Sequence, residues 1–226
     1  MRGQEIEYST RNNETFSGYL SKPKQEGSYS GILLITAIFG VDDEMKELAD
    51  AWASDGFIVS VPDIFWRQVP GPTADIEVAK GRMNDFDPDQ GMRDIEDLIA
   101  DLRARKECNG KVGVLGFCFG GRYVHLSAAR LDINGGASFH GALIGKHLDE
   151  TSNIKCPVSH HFGGDDPVVP MDEVNEIKEA YGKLSNSDIG VYSGVGHNFG
   201  MPYKQGYDEN AARLSREAAL KVFRSM

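Results

Sequence analysis

Cysteine is scarce in this chain, with three in 226 residues, at positions 108, 118 and 156. That count and the irregular spacing exclude a disulfide framework, and with no C-x-x-C pair they also exclude a zinc or dithiol redox motif. The thiols are expected to be reduced, in a reducing compartment. Basic residues are short as well, 24 Lys and Arg against 34 Asp and Glu, which disfavours nonspecific binding to nucleic acid or to an anionic membrane surface. Long apolar runs are missing, and Met1-Arg2-Gly3-Gln4-Glu5 carries no apolar signal region, so a cytoplasmic location is the default expectation. No composition shift, internal repeat or low-complexity segment divides the sequence, and a single domain over residues 1–226 is expected.

What is present centres on Gly116-Phe117-Cys118-Phe119-Gly120, with Gly121 behind it. The run follows the apolar segment Lys111-Val112-Gly113-Val114-Leu115 and precedes a helix-compatible stretch. This is the strand-turn-helix setting of a nucleophile elbow, whose sharp turn requires small residues two positions to either side of the apex. Gly116 and Gly120 meet that requirement, and the apex is the thiol of Cys118. The amide of Phe119, next in the chain, is then aimed where a developing oxyanion would sit. A dinucleotide-binding reading fails, because the G-x-G-x-x-G fingerprint needs its second glycine where Cys118 stands. The remaining alternative is that Cys118 is a small buried hydrophobe. Cys156, before a proline at a strand start, reads as structural, and Cys108 reads as part of the polar turn Lys106–Gly110 with no base nearby.

An elbow nucleophile needs a base and an acid that orients it, in the chain order nucleophile, acid, histidine. Cys156–Phe162 reads as a strand running into Gly163-Gly164-Asp165-Asp166-Pro167-Val168-Val169-Pro170, and Asp188–Ser193 as a strand running into Gly194-Val195-Gly196-His197-Asn198-Phe199. Both loops fall past the carboxyl ends of their strands, the edge where ligands gather in an open parallel sheet. Asp165 and Asp166 compete for the acid, and spacing does not separate them. For the base, His160 and His161 alternate within a strand pattern, His125 lies inside the helix after the elbow, His140 closes a strand and His147 follows in a polar segment. His197, in a glycine-flanked loop, is the best placed.

Around these motifs the pattern is that of an α/β protein. Ile6, Tyr8, Phe16, Tyr19 and Leu20 flank a polar turn and predict an N-terminal antiparallel hairpin. Ile32–Ile35 and Phe57–Val61 read as strands buried on both faces. Amphipathic helices are expected after Asp42, over Met92–Leu102, over Val174–Leu184 and from Asp208 to the end, and Gln68–Pro88 as a loop with a short helix. The order predicts a mostly parallel twisted sheet with helices on both faces.

The chain resembles the dienelactone hydrolase family of the α/β-hydrolases. The resemblance runs nearly end to end and is carried by the G-x-C-x-G-G elbow, the G-x-x-D-x-x-V-P loop of Gly163–Pro170, the G-H-x-F of Gly196–Phe199 and the I-F-G of Ile38–Gly40. It implies the α/β-hydrolase fold and a cofactor-independent ester or lactone hydrolase without a metal. It assigns a Cys118-His197-Asp166 triad acting through a thioester, with Asp166 and not Asp165 as the acid. It places the oxyanion hole at the backbone amides of Ile38 and Phe119.

Two departures from the family stand out. Its better-studied members carry a glutamate just before the I-F-G, which interacts with the nucleophile and takes part in its substrate-triggered activation; here that position is Ala37, after Thr36. They also hold a substrate carboxylate with arginines, one shortly after the triad histidine, where this chain has Gly200-Met201-Pro202; the other has no counterpart near Asp75–Val78, although Arg82 lies close by. An uncharged or weakly polar ester or lactone is the expected substrate, lined by candidates among Phe39, Trp66, Phe86, Phe199, Met201 and Tyr203. No nucleic-acid or membrane partner is expected, and the chain is expected to be a monomer or weak homodimer. The competing readings are a catalytically drifted ligand-binding pseudo-hydrolase and a thiol-based redox protein, the latter without an obvious resolving cysteine.

Overall fold

The run Ile32–Ile35 is wholly buried, as an apolar segment without alternation must be when both of its faces are covered. It lies in the strand β3 (Tyr29–Ile35). The computed structural model describes residues 3–226 and arranges them as two compact units whose boundary falls between Gly113 and Val114. The assignment of Met1 and Arg2 to a segment without a signal lies outside the described residues.

In the first unit, β1 (Gln4–Ser9) and β2 (Thr15–Ser21) form the expected antiparallel hairpin, Gln4 opposite Leu20 and Ser9 opposite Thr15. Thr10 closes its turn, the hydroxyl accepting from the amides of Asn12 and Glu14. β2 pairs antiparallel with β4 (Ile58–Pro62), and β4 pairs parallel with β3. Between β3 and β4 runs α1 (Asp43–Ser54), capped by Asp42, whose carboxylate accepts from the Met45 amide at 2.9 Å. It buries Met45, Ala49 and Trp52, and Gly56, at φ 100°, ends it. The span after β4 is the anticipated loop with a short helix, α2 (Ile76–Asn84). The next helix, α3 (Pro88–Ala104), buries Met92, Ile95, Leu98, Ile99 and Leu102. It packs so closely that a side chain at Gly31 of β3 would meet Leu102 at 2.8 Å.

Strand β5 (Cys108–Phe117) begins earlier than the apolar run suggested. Cys108 therefore opens a strand instead of sitting in a turn. The polar entry is held by β3, with the Tyr29 amide donating to the Glu107 carbonyl at 2.8 Å and the Asn109 amide group to the Ser30 hydroxyl at 3.1 Å. Backbone pairing thus overrides a turn-like composition.

The second unit holds the end of β5, α4 (Phe119–Arg130), β6 (Gly135–Phe139), a 3₁₀ segment (Ile144–Asn153), β7 (Val158–Gly163), α5 (Met171–Tyr181), β8 (Ser187–Tyr192) and α6 (Glu209–Arg224). β6, β7 and β8 are parallel, with Gly136 opposite Val158 and Val158 opposite Ser187. The strand order β1-β2-β4-β3-β5-β6-β7-β8 is that of an eight-stranded α/β sheet, mostly parallel, with antiparallel strands at its N-terminal end. Among the described residues no helix is long and apolar enough to cross a membrane.

Close approach of α4 to the segment after β6 depends on Gly121, where a Cβ would lie 2.3 Å from Gly141 Cα and 2.5 Å from Ser138 Oγ. Since the obstruction includes backbone, Gly121→Ala is expected to lower stability by about 1–3 kcal/mol. A urea melt checks this; an unchanged midpoint would show that the segment yields at no cost.

Candidate active site

Between the last residue of β5 and the first of α4 stands Cys118, at φ 50° and ψ −111°. A non-glycine residue held there carries about 1–3 kcal/mol of backbone strain, which persists only where the surroundings over-determine it. Three hydrogen bonds do so. The Cys118 amide donates to the Phe139 carbonyl at 3.0 Å, and its own carbonyl accepts from Gly121 at 2.9 Å and Ala142 at 3.0 Å. The side chain makes no capping bond to the helix. A Cβ at Gly116 would lie 2.3 Å from the Gly120 carbonyl oxygen, which is why this turn requires glycine there. Phe119 provides the first residue of α4, at the positive end of the helix dipole.

The loops after β7 and β8 are laced together before they deliver their side chains. The Gly164 amide donates to the Tyr192 carbonyl at 2.7 Å, and the Asp165 amide to the Val195 carbonyl at 3.0 Å. Gly163 permits the approach, since a Cβ there would lie 2.5 Å from the carbonyl oxygens of Val195 and Gly196. Asp165 thus contributes backbone and stays exposed, while Asp166 turns inward and is buried. One carboxylate oxygen of Asp166 accepts from the amides of Val168 and Val169 at 2.8 and 3.2 Å. The other accepts from Nδ1 of His197 at 2.7 Å. The Cys118 side chain also acts on the ring of His197 and favours its charged form. Cys118, His197 and Asp166 thus come from three loops of the second unit, with His197 bonded to Asp166 and influenced by Cys118.

Burial of His197 works against its charged form, yet the hydrogen bonds to Asp166 and Cys118 and their negative charge outweigh it and raise the ring to about 9. The other histidines go the opposite way. His160 and His161 are fully buried, as their alternation in a strand suggested. Burial pushes both down, His161 to about 3. His125 bonds the Tyr181 hydroxyl and the His147 carbonyl inside the unit, and burial lowers it too. His140 is one contributor that the sequence did not single out. It is fully buried at φ 39°, with its ring 4.5 Å from that of His197 and neither ring nitrogen partnered among the described residues. Burial, and then the charge of His197, keeps it neutral, so it packs against His197 without competing for its proton.

In the first unit, Ile38 and Phe39 are half-buried in a turn closed by the Gly40 amide donating to the Ala37 carbonyl at 3.2 Å. Arg82 is 1% exposed, and its guanidinium is spent on the carbonyls of Ile38, Val69 and Gly71. The expected lining divides. Phe199 and Met201 are buried core residues, packing that their apolar character served equally well, whereas Tyr203 is 71% exposed. Trp66 stacks on Phe16 at 5.0 Å beneath Arg67, and Phe86 meets Phe65 edge-on. Among the described residues no group of three or more His, Cys, Asp or Glu is placed to hold a metal ion.

Comparison with known proteins gives one consistent pattern. The dienelactone hydrolase family matches residues 16–226. A carboxymethylenebutenolidase of Pseudomonas putida is 29% identical over 221 residues, 95% of this chain and 93% of the relative. Carboxymethylenebutenolidase 1 of Cupriavidus pinatubonensis is 27% identical over 96% of this chain and 94% of its own length. Among solved structures, the dienelactone hydrolase-like promiscuous phosphotriesterase P91, from metagenomic libraries, superposes with a TM-score of 0.83 at 22% identity, covering 100% of this chain and 99% of that one. Thermogutta terrifontis esterase 2 phosphorylated by paraoxon gives 0.73 at 16% identity, covering 96% and 91%. At these identities the structural matches speak to the fold.

The charge state of His197 yields a measurable expectation. Its NMR titration should have a midpoint near 9, against an ordinary value of 6.5, and Asp166→Asn or Cys118→Ala should each lower it. Because the folded value is the raised one, the stabilisation is fully present below about pH 6.5 and is lost as pH rises through about 9. A midpoint unmoved in both variants would contradict this account.

Proposed function

The chain belongs to the dienelactone hydrolase family, an ester and lactone hydrolase, and from that premise we propose that it cleaves small uncharged or weakly polar esters or lactones by acyl transfer to Cys118. The observation that carries the reading is the His197 ring, bonded through Nδ1 to the buried Asp166 carboxylate and held toward its charged form by Asp166 and the Cys118 side chain. A free thiol titrates near about 8.5 and is only partly ionised at neutral pH. An imidazole beside the thiol, oriented by a carboxylate, can take its proton as the sulfur attacks.

The proposed sequence is as follows. The Cys118 thiolate attacks the substrate carbonyl carbon, and the carbonyl oxygen takes up the negative charge. The amide of Phe119 and, following the family's pattern, that of Ile38 donate to this oxygen. Collapse breaks the carbon–oxygen ester bond, the alcohol leaves with the proton from His197, and a thioester remains. Neutral His197 then takes a proton from water as the water attacks the thioester, the acid departs, and the thiolate and imidazolium are restored. Asp166 accepts from Nδ1 throughout, so that Nε2 is the nitrogen that exchanges protons.

Substrate preference follows from what the chain lacks. Arg82 is committed to backbone carbonyls, and after His197 the chain offers Met201, itself buried. Neither position supplies a free cation for a substrate carboxylate, which supports a neutral acyl group. Ala37, buried and apolar, replaces the family's glutamate, which leaves His197 as the group governing the thiol.

Nitrophenyl acetate and butyrate test the chemistry. Cys118→Ala and His197→Ala are each expected to lower kcat by at least about a thousandfold with the fold intact. Activity surviving Cys118→Ala would remove the thiol from its role, while a wild type without esterase activity would favour a ligand-binding or redox protein. Alkylation of Cys118 by iodoacetamide should proceed at the same rate with and without a non-reactive lactone analogue. Strong acceleration by the analogue would instead point to substrate-triggered activation.

A further inference from the structure

His140 stands where the chain leaves β6, and three of its features are unfavourable to folding. Its ring is fully buried, neither ring nitrogen has a hydrogen-bond partner among the described residues, and its φ of 39° lies in the left-handed region. A buried donor and acceptor without partners are destabilising, and a non-glycine residue persists at such a φ only where its surroundings over-determine it. The surroundings do so. Its amide donates to the His161 carbonyl of β7 at 2.7 Å. Phe117 and Phe199 flank the ring, at 6.0 and 5.9 Å between centroids. Gly141 follows without room for a side chain, since a Cβ there would lie 2.3 Å from Ser138 Oγ.

The stretch to which His140 belongs clasps the backbone of Cys118 at both ends. The Cys118 amide donates to the Phe139 carbonyl, and the Ala142 amide donates to the Cys118 carbonyl, each at 3.0 Å. Between these two attachments His140 presents its ring to that of His197, with centroids 4.5 Å apart and planes at 63°, an edge-on contact. Four consecutive residues therefore touch both the main chain of the proposed nucleophile and the ring of the proposed base. His197 needs such a contact. Its Nδ1 bond to Asp166, at 2.7 Å, fixes one atom of the ring and leaves tilt about that bond open. The outer torsion of a histidine does not settle the tilt, because its energy wells are broad. A rigid neighbour against the ring does.

We propose that His140 is a positioning residue for hydrolysis: its ring, carried on the stretch that grips Cys118, fixes the plane of the His197 ring relative to the thiol. The proposal rests on the reading of His197 as the base in the thioester mechanism above. Proton transfer depends steeply on where the base is placed, so loss of this support lowers kcat more than it raises KM. Histidine suits the position on two counts. It is among the side chains that tolerate a left-handed backbone, and it supplies a flat ring. Asparagine meets only the first requirement, and phenylalanine only the second. Burial and the charge of His197 keep the His140 ring neutral, so it fills the space beside an imidazolium without repelling it.

The test compares His140→Phe and His140→Asn in the full chain, with nitrophenyl butyrate as substrate. His140→Phe should keep kcat within about threefold of wild type, whereas His140→Asn should lose about tenfold or more with KM within about twofold. The NMR titration of His197 supplies a readout that needs no turnover. Its midpoint should stay near 9 in His140→Phe and fall in His140→Asn, where the ring is free to swing away from Asp166. Wild-type kcat in His140→Asn would overturn the proposal and leave residue 140 a matter of backbone geometry alone. Equal losses in both variants, with His197 titrating as in wild type, would overturn it as well and place the effect in the His140 nitrogens. A His140→Asn protein without a cooperative melt would make His140 a folding residue. If His140→Phe does not fold, the kcat and the His197 midpoint of His140→Asn decide alone. Esterase activity that persists in Cys118→Ala, or is absent from wild type, defeats the thioester reading instead, and the His197 midpoints still decide whether His140 positions the ring.

Discussion

The constraint on which the rest depends is the left-handed backbone at Cys118. A residue with φ near 50° cannot belong to the strand before it or the helix after it, so it forms the apex where one gives way to the other. Its amide is tied to the last residue of β6 and its carbonyl to the segment that follows. The side chain is thereby relieved of structural duty, and the cost of the conformation is met by bonds from elements already required for the sheet. Glycines at 116 and 121 are the steric consequence, each facing backbone too close for a methyl group.

The proposed base and acid are supported by a second, independent device. The loops after β7 and β8 exchange backbone hydrogen bonds, so the distance between Asp166 and His197 is set by main chain, not by two flexible side chains finding each other. The Asp166 carboxylate is further held by two amides of its own loop. Neutral His140 packs beside His197 without offering a competing charge. A buried imidazole that favours its protonated form thus meets a carboxylate on one side and no second positive charge on the other.

Much of this was legible in the sequence, for identifiable reasons. Strand, elbow and helix follow from a buried apolar run meeting glycines at fixed offsets, and α1 follows its cap Asp42, while the cap role of Asp208 at α6 is seen in the structure. Resemblance to the family singled out Asp166, where spacing alone left Asp165 in contention. The geometry adds the reason: Asp165 is held outward by its amide bond to Val195. Other features could not be read. Cys108 opens a strand because partners distant in sequence hydrogen-bond its neighbours, and no local pattern carries that information. Phe199 and Met201 look the same in sequence whether they line a cavity or fill a core. His140 and Arg82 act through contacts between segments far apart in the chain, and an arginine near a family's substrate arginine reads first as a ligand for substrate. Only its three carbonyl partners reveal that it is occupied.

Arg82 also links two parts of the first unit that sequence would treat as separate. The 69–73 stretch belongs to the kind of irregular span in which insertions and exchanges are normally tolerated, yet it shares one guanidinium with the turn that bears Ile38. Remodelling that stretch would disturb the same three-way knot, so an engineer who wishes to leave the Ile38 turn undisturbed would do better to keep residues 69–73 at their present length and work on side chains that do not share the knot.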